Sequence, residues 1–312
     1  MLQDTRIALT WGDCGENHAG NQQIGEIQES GTGILMEDLE HIKAWYEKQD
    51  ENNVAELATF STPENCPLTE KTGVLILRNF ISNLETTALM EELVEKEWDS
   101  KFYNTRTKKV LNKHARENLL FMRGFSQDAV YEEGKGTIFD IDTMDMLNEV
   151  DKKVQYLSKM VEKTETKTKH VDLICEGNKY RTKARIKSLQ QGIGWHGDAE
   201  RTRVFALCVG GFNYPMKWCL FHRSAPVCEA ECFELNSGDL YIMSELAVGQ
   251  HWNKSSLWTW RHCAGHEKFT SLDRFEKAIT NYKIWQEKEK IRKEKKKQKE
   301  LEKEEKQKKK KA

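Results

Sequence analysis

Apolar positions recur at two different spacings along this chain, and the change falls near residue 171. Before it the spacing is mostly helical. Residues 36–50 (MEDLEHIKAWYEKQD) place Met36, Leu39, Ile42 and Trp45 three apart, which predicts a short amphipathic helix. Residues 82–98 predict a second helix, with Ser82 as N-cap and Glu85 completing a capping box. A third runs over roughly 142–161, with Leu147, Val150, Val154, Leu157 and Val161 on one stripe. Between the first two, GVLILRNFI (73–81) reads as a buried strand. Past 171 the apolar segments VDLICEG, RVFALCVGG, MKWCLFH, CFELNSG, DLYIMSE and LWTWRHCAG are short and bounded by Gly, Asn, Pro or Ser. Closely spaced strands without helices between them imply antiparallel sheets, as in a sandwich or open barrel.

The pattern predicts an α+β protein with three regions. Residues 1–165 form a mixed α/β extension whose helices pack on the outside of the sheets. Residues 166–280 form the β-rich core, and 281–312 a charged tail. The tail has good helix formers and no Gly or Pro, but its apolar stripe ends at Ile291 and Leu301. It reads as a solvated helix, with a phosphate-backbone contact or a nuclear-import signal as alternatives.

Charge sharpens this division. The chain nets −1, yet residues 281–312 carry 15 Lys+Arg against 7 Glu, so residues 1–280 net −9. An acidic body is joined to a basic tail. No apolar run reaches membrane-spanning length and no signal-peptide core is present, so the expectation is an intracellular protein, cytoplasmic or nuclear, with no membrane. The 8 cysteines have no repeated spacing and read as reduced thiols. Cys228, Cys232 and His222 are loosely spaced for zinc and lack an evident fourth ligand.

The stretch GIGWHGDAER (192–201) carries the candidate chemistry. His196 and Asp198 are two apart, so on a strand they would share a face and converge. An imidazole and a carboxylate together are two thirds of the two-His, one-carboxylate set that leaves positions open on Fe(II). Asp198 is expected as an exposed carboxylate at a sheet rim. Glu200 and Arg201 either orient the ligands or form a surface ion pair. Upstream, Asn178 and Tyr180 supply an amide and a phenol able to hydrogen-bond a carboxylate. Downstream, Gly238 and Asp239 turn into an apolar strand, followed by two more histidines and two arginines.

Taken together, Asn178-Lys-Tyr180, Ile193-Gly-Trp-His196-Gly-Asp198 and Gly238-Asp239-Leu-Tyr-Ile-Met resemble the Fe(II)- and 2-oxoglutarate-dependent dioxygenases, in their AlkB-like branch. The set also looks like a group of uncharacterised proteins from large viruses and microbial eukaryotes, which share a motif close to WRHCAG (260–265). The resemblance covers about 171–275. It extends more weakly to GDCGENHAG (12–20) and NKHAREN (112–118), for which the sequence offers no mechanism.

The resemblance implies a double-stranded β-helix, a jelly-roll-like core. It implies Fe(II) held by His196, Asp198 and a distal histidine, with 2-oxoglutarate and O2 as co-substrates. The distal histidine is His262, or alternatively His251. An arginine after it would grip the far carboxylate of 2-oxoglutarate with two hydrogen bonds: Arg274, placed on a final strand KFTSLDRF that could equally start a helix capped by Thr270 or Ser271, or alternatively Arg261. Asn178 and Tyr180 would bind the same co-substrate. The implied activity is hydroxylation or oxidative demethylation, first of a modified base in DNA or RNA. A protein or small-molecule hydroxylase with the same iron core is the alternative, and a non-catalytic binding module on a degenerate fold a further one. Residues 101–116, basic with interleaved aromatic and amide residues, support the nucleic-acid reading; the acidic body opposes it.

Overall fold

The computed structural model describes residues 4–18, 20–161, 172–181, 191–211 and 215–311. The chain begins with strands β1 (Thr5–Gly12), β2 (Cys14–Glu16) and β3 (Gln23–Gly25), then helix α1 (Met36–Gln49). Strands β4 (Val54–Thr59) and β5 (Gly73–Arg78) lead into α2 (Asn83–Val94). Strands β6 (Lys101–Asn104), β7 (Lys109–Asn112), β8 (Glu117–Met122) and β9 (Ile138–Asp140) precede α3 (Asp145–Val161). The second half runs β10 (Ile174–Arg181), β11 (Gly192–His196), β12 (Val204–Gly210), β13 (Pro215–His222), β14 (Ala225–Pro226), β15 (Glu231–Glu234) and β16 (Leu240–Met243). It ends with α4 (Glu245–Val248), β17 (Thr259–Gly265), α5 (Glu267–Thr270) and α6 (Glu276–Lys311).

The fold is α+β, dominated by one large sheet. Its eight strands lie in the order β4-β5-β16-β12-β1-β10-β8-β9, antiparallel except for the β8–β9 pair. A second, five-stranded sheet runs β11-β17-β13-β14, with β15 also on β13. Strand alternation gives the large sheet two apolar faces. Ile7, Leu9 and Trp11 of β1 and Phe205, Leu207 and Val209 of β12 share one core with the buried stripes of α1, α2 and α3. Val204, Ala206 and Cys208 point the other way and share a core with Met216, Trp218, Leu220 and Trp260 of the small sheet. The layers are therefore helices, large sheet, small sheet. The outer face of the small sheet, with Trp195, Phe221 and Cys263, is covered by Leu272 and Phe275.

The helices form where the apolar spacing places them. Ser82 accepts from the Glu85 backbone N–H, and the Glu85 carboxylate accepts from that of Ser82, satisfying two donors that the first turn of α2 leaves over. All five stripe residues of α3 are buried against the sheet. The tail is a helix to Lys311, anchored at its root by buried Tyr282. Among the described residues no helix is long and apolar enough to cross a membrane, and all eight cysteines are free thiols.

Two features depart from the sequence expectation. The boundary at residue 165 lies outside the described residues, but the region before it supplies β1, β4, β5, β8 and β9 to the same sheet as β10, β12 and β16. And KFTSLDRF is not a strand. His266 caps α5 by accepting from the Lys268 N–H, and Asp273–Phe275 form a 3-10 turn.

Replacing Leu157, fully buried on α3, by Ala should cost about 2–5 kcal/mol in urea denaturation, the cost of a core cavity. Ile291→Ala, on the exposed tail helix, should stay within about 0.5 kcal/mol of the wild type.

Candidate metal centre and its cavity

His196 ends β11 and lies opposite His262 on β17. The register between these strands shifts after the Ile193–Ala264 pair, which inserts one extra residue into β11. A bulge of this kind re-aims the side chains that follow it. Here it turns Trp195 to the outer face and His196 to the inner face, beside His262. The two rings meet edge to face with centroids 4.4 Å apart.

Asp198 does not reach them by strand alternation, because β11 has already ended. A turn carries it, fixed by its backbone N–H donating to Val248 O at 3.0 Å. Gly197 makes the turn possible: a Cβ there would stand 2.2 Å from Gly249 O. Gly249 itself has φ +75°, the left-handed region that favours glycine.

The three side chains form a cluster that could hold a metal ion. Nε2 of His196 and Nε2 of His262 lie 3.6 and 3.7 Å from the same oxygen, Oδ1 of Asp198. One ligand atom from each falls within 4.8 Å of the others. Neither imidazole is close enough to hydrogen-bond the carboxylate. Ligands bonded to one ion at about 2 Å sit at comparable separations. Nδ1 of His196 lies 2.7 Å from Gly194 O and 3.1 Å from His262 O, so the ring's proton belongs there and the Nε2 lone pair faces Asp198. Burial, and then the neighbouring His262 ring, push His196 down to about 3, so it stays neutral at ordinary pH. Burial works against the charge on Asp198, but His262 and then Arg201 outweigh it and hold its carboxyl well below the usual range. A buried anion flanked by two imidazoles that do not hydrogen-bond it is a donor set suited to a cation.

Asp198 is not the exposed rim carboxylate expected; its side chain is 12% exposed. Arg201, 4% exposed, is no surface ion pair either. Its Nε donates to Cys14 O at 2.6 Å, its Nη2 pairs with Glu176, and its Nη1 stands 3.8 Å from Asp198 Oδ2. Glu200 lies in the same cluster, raised to about 7 by burial and then by its carboxylate neighbours, against the pull of Arg201. Segment 12–20 holds the loop after the ligands. Fully buried Asp13 accepts from the Thr202 N–H and hydroxyl, at 2.7 and 2.6 Å, and from the Arg203 N–H.

The cluster lines a cavity of about 690 Å³ between the two sheets. Asn178 and Tyr180 line it from β10, as expected; Asn178 donates to Glu176 at 3.1 Å and accepts from Arg116. His251 is elsewhere, with its Nε2 3.0 Å from Ser30 Oγ on the surface. Arg261 alternates away from His262 and lies over Phe221, 4.4 Å from the ring centroid, where it also lines the cavity. Arg274 is exposed on its 3-10 turn at the cavity margin. The cation that sequence reasoning missed is Arg6. It lines the cavity from β1 with Ala8 and Thr10, is 2% exposed, and donates to Leu235 O at 3.1 and 3.2 Å. The signal was the alternation of Arg6, Ala8 and Thr10 with Ile7, Leu9 and Trp11. The loose Cys228–Cys232–His222 set does not assemble: His222 stacks on Trp258, and Cys228 faces Cys219.

The fold and this cluster define an α+β protein with a His-Asp-His cluster that could hold a metal ion in an intersheet cavity. The chain is similar to an uncharacterized protein of Acanthamoeba polyphaga mimivirus, with 34% identity over 268 residues that span 84% of this chain and 96% of the viral one. It belongs to the family of that protein. No family model matches it.

A ring-carbon NMR titration of the metal-free protein should show no protonation step for His196 between pH 8 and 5, because its neutral form persists to about 3. An ordinary histidine would titrate near about 6.5. A step there would remove the buried, ligand-ready geometry described for this ring.

Proposed function

We propose that this chain is an Fe(II)- and 2-oxoglutarate-dependent dioxygenase on a double-stranded β-helix core. The observation that carries the reading is the pairing of two features in one cavity. The His196–Asp198–His262 cluster stands on the small-sheet side, and the buried Arg6 guanidinium on the large-sheet side. The winding supports it too. From β10 to β17 the chain passes back and forth between the sheets: β10 large, β11 small, β12 large, β13 to β15 small, β16 large, β17 small. The place between β10 and β12, which a closing strand after β17 would take, is held by β1 from the other end of the chain.

In this reading His196, Asp198 and His262 would hold Fe(II). Bound there with 2-oxoglutarate and O2, the iron supplies the oxidising power to hydroxylate a C–H bond or remove a methyl group. The protein supplies orientation. Carbonyls of Gly194 and His262 fix the His196 tautomer. Arg201 stands beside the second Asp198 oxygen. Arg6 takes the role first given to Arg274 or Arg261: its planar fork grips the far carboxylate of 2-oxoglutarate, with Asn178 and Tyr180 beside it. Val204, Met216 and Met243 line the cavity with apolar surface that excludes water.

The substrate class that fits is a modified base in DNA or RNA, extruded from its strand into the cavity. Residues 101–116 carry 6 Lys+Arg and no acid, and Arg116 among them lines the same cavity. The net −9 of residues 1–280 favours a second reading, a hydroxylase of a protein or small molecule.

Incubation with Fe(II), 2-oxoglutarate and a panel of methylated DNA, RNA and peptides should release succinate with the nucleic acids. His262→Ala should abolish that release and His251→Ala should leave it within about twofold. Arg6→Gln should raise the KM for 2-oxoglutarate by at least about tenfold, the worth of a charge-assisted bidentate contact, while Arg274→Gln has little effect. No succinate with any member of the panel would sink the reading, and activity retained in His262→Ala would sink the ligand assignment.

A further inference from the structure

The two segments without a mechanism in the sequence, residues 12–20 and 112–118, meet in the structure. Asn118 Nδ2 donates to Asn17 O at 2.7 Å. The Lys113 ammonium donates to Asn17 Oδ1 at 3.0 Å and to the Asn118 side chain. The His18 ring lies against Phe102 of β6, centroids 3.8 Å apart and tilted by 39°. Around these groups is a second cavity of about 500 Å³. His18 and Arg116 line both it and the metal cavity, so the two are neighbours across one shared wall.

The lining of this second cavity has a definite chemistry. It offers the cations Lys113 and Arg116, the imidazoles of His18 and His114, the amides of three asparagines and the face of Phe102, and no carboxylate. The stretch 101–116 that forms most of it has six cations and no acid, inside a body that nets −9. The local field is felt by its own members. Burial, and then Lys113 and Arg116, push His18 down to about 4, so it presents a neutral flat ring. Acids lie nearby but outside the lining: Glu16 and Glu176 face the metal cavity, with Glu176 4.0 Å from the Arg116 guanidinium, Asp99 is held by Tyr131 and Thr137, and Glu117 pairs with Lys179 and Arg181.

A neutral ring pair, an exposed imidazole and amide, and two cations of which one, Arg116, stands 4.0 Å from a carboxylate on the far side of the wall, suit a phosphate joined to a flat base. We propose that the second cavity is a phosphate subsite for a nucleotide. Arg116, His114 and the Asn112 amide face the anion, and the His18–Phe102 pair packs against the adjoining sugar or base. The unit bound here neighbours the one whose base enters the metal cavity, so the proposal rests on the nucleic-acid reading of that site. It also gives the two unexplained segments a shared role, since residues 12–20 and 112–118 together build the wall between the two cavities.

The test is equilibrium binding of the full chain, without added metal, to a short fluorescent single-stranded DNA, followed by anisotropy. Binding should weaken as salt rises. His114→Glu, which places an anion at an exposed edge of the lining, and Phe102→Ala should each weaken it by at least about tenfold, the size of a lost stacking or phosphate contact. Lys297→Glu on the tail helix should change it less than about twofold. Competition by adenosine monophosphate that is itself weakened by His114→Glu would assign the subsite to a free nucleotide, and its absence would assign it to a strand; both uphold a phosphate site. Two results overturn it: binding unchanged in both lining variants, or displacement by an acidic peptide as effective as by DNA. Because no metal is present, a chain that binds DNA through these residues yet releases no succinate loses the oxygenase reading and keeps the subsite.

Discussion

The site depends on one strand. β1 pairs along its whole length with β10 on one side and β12 on the other. Without it the large sheet would fall into two pieces, each with a raw edge of unpaired N–H and C=O groups. Its two faces serve different ends. Ile7, Leu9 and Trp11 join the helix-side core, and Trp11 also donates to buried Asp151 at 2.9 Å. Arg6, Ala8 and Thr10 form part of the cavity wall. A one-residue slip would exchange these sets, burying Arg6 among the helices and aiming Trp11 into the cavity. The register is therefore fixed by hydrophobic burial, and the position of the cavity's cation follows from it.

The segment that follows β1 carries this constraint into the metal cluster. Asp13, just past the strand, organises the backbone of Thr202 and Arg203, while Cys14 O receives Arg201. Arg201 then lies between Glu176 of β10 and Asp198. Burying such a network contributes little net stability, because desolvation offsets much of the attraction. Its effect is geometric. Three parts of the chain far apart in sequence must be in place before Arg201 has its partners, and only then is the free oxygen of Asp198 flanked by a fixed cation.

The fold class, the three helices and most strands of the second half were legible because each follows from a local period. Ser82–Glu85 and the α3 stripe are examples: the residues that decide them lie within one or two turns of each other. His196, Asp198 and His262 were legible as residue types, but the reason they converge was not. The sequence suggests simple alternation, whereas the structure uses a bulge before His196 and a glycine turn after it. Both depend on what β17 and Gly249 place alongside, and local pattern carries no trace of that. The same limit explains Arg274. The sequence places it on a strand after β17, and only long-range pairing reveals that the strand between β10 and β12 is β1.

The choice between His262 and His251 illustrates how an architecture settles what composition leaves open. Both histidines stand near an apolar strand and both are followed by an arginine. Only His262 belongs to the strand that pairs with β11, directly across from His196. Antiparallel partners in that position place their side chains on one face about 5 Å apart, within reach of a common ion. His251 sits in the connection between α4 and β17, where its ring meets Ser30. Moving it into the cluster would require unpairing β17, whose inner residues also hold Trp260 in the intersheet core. The packing that keeps the two sheets together thus also sets which histidine stands beside His196 and Asp198, and a change that loosened Trp260 would be felt in that cluster before it was felt by the helices.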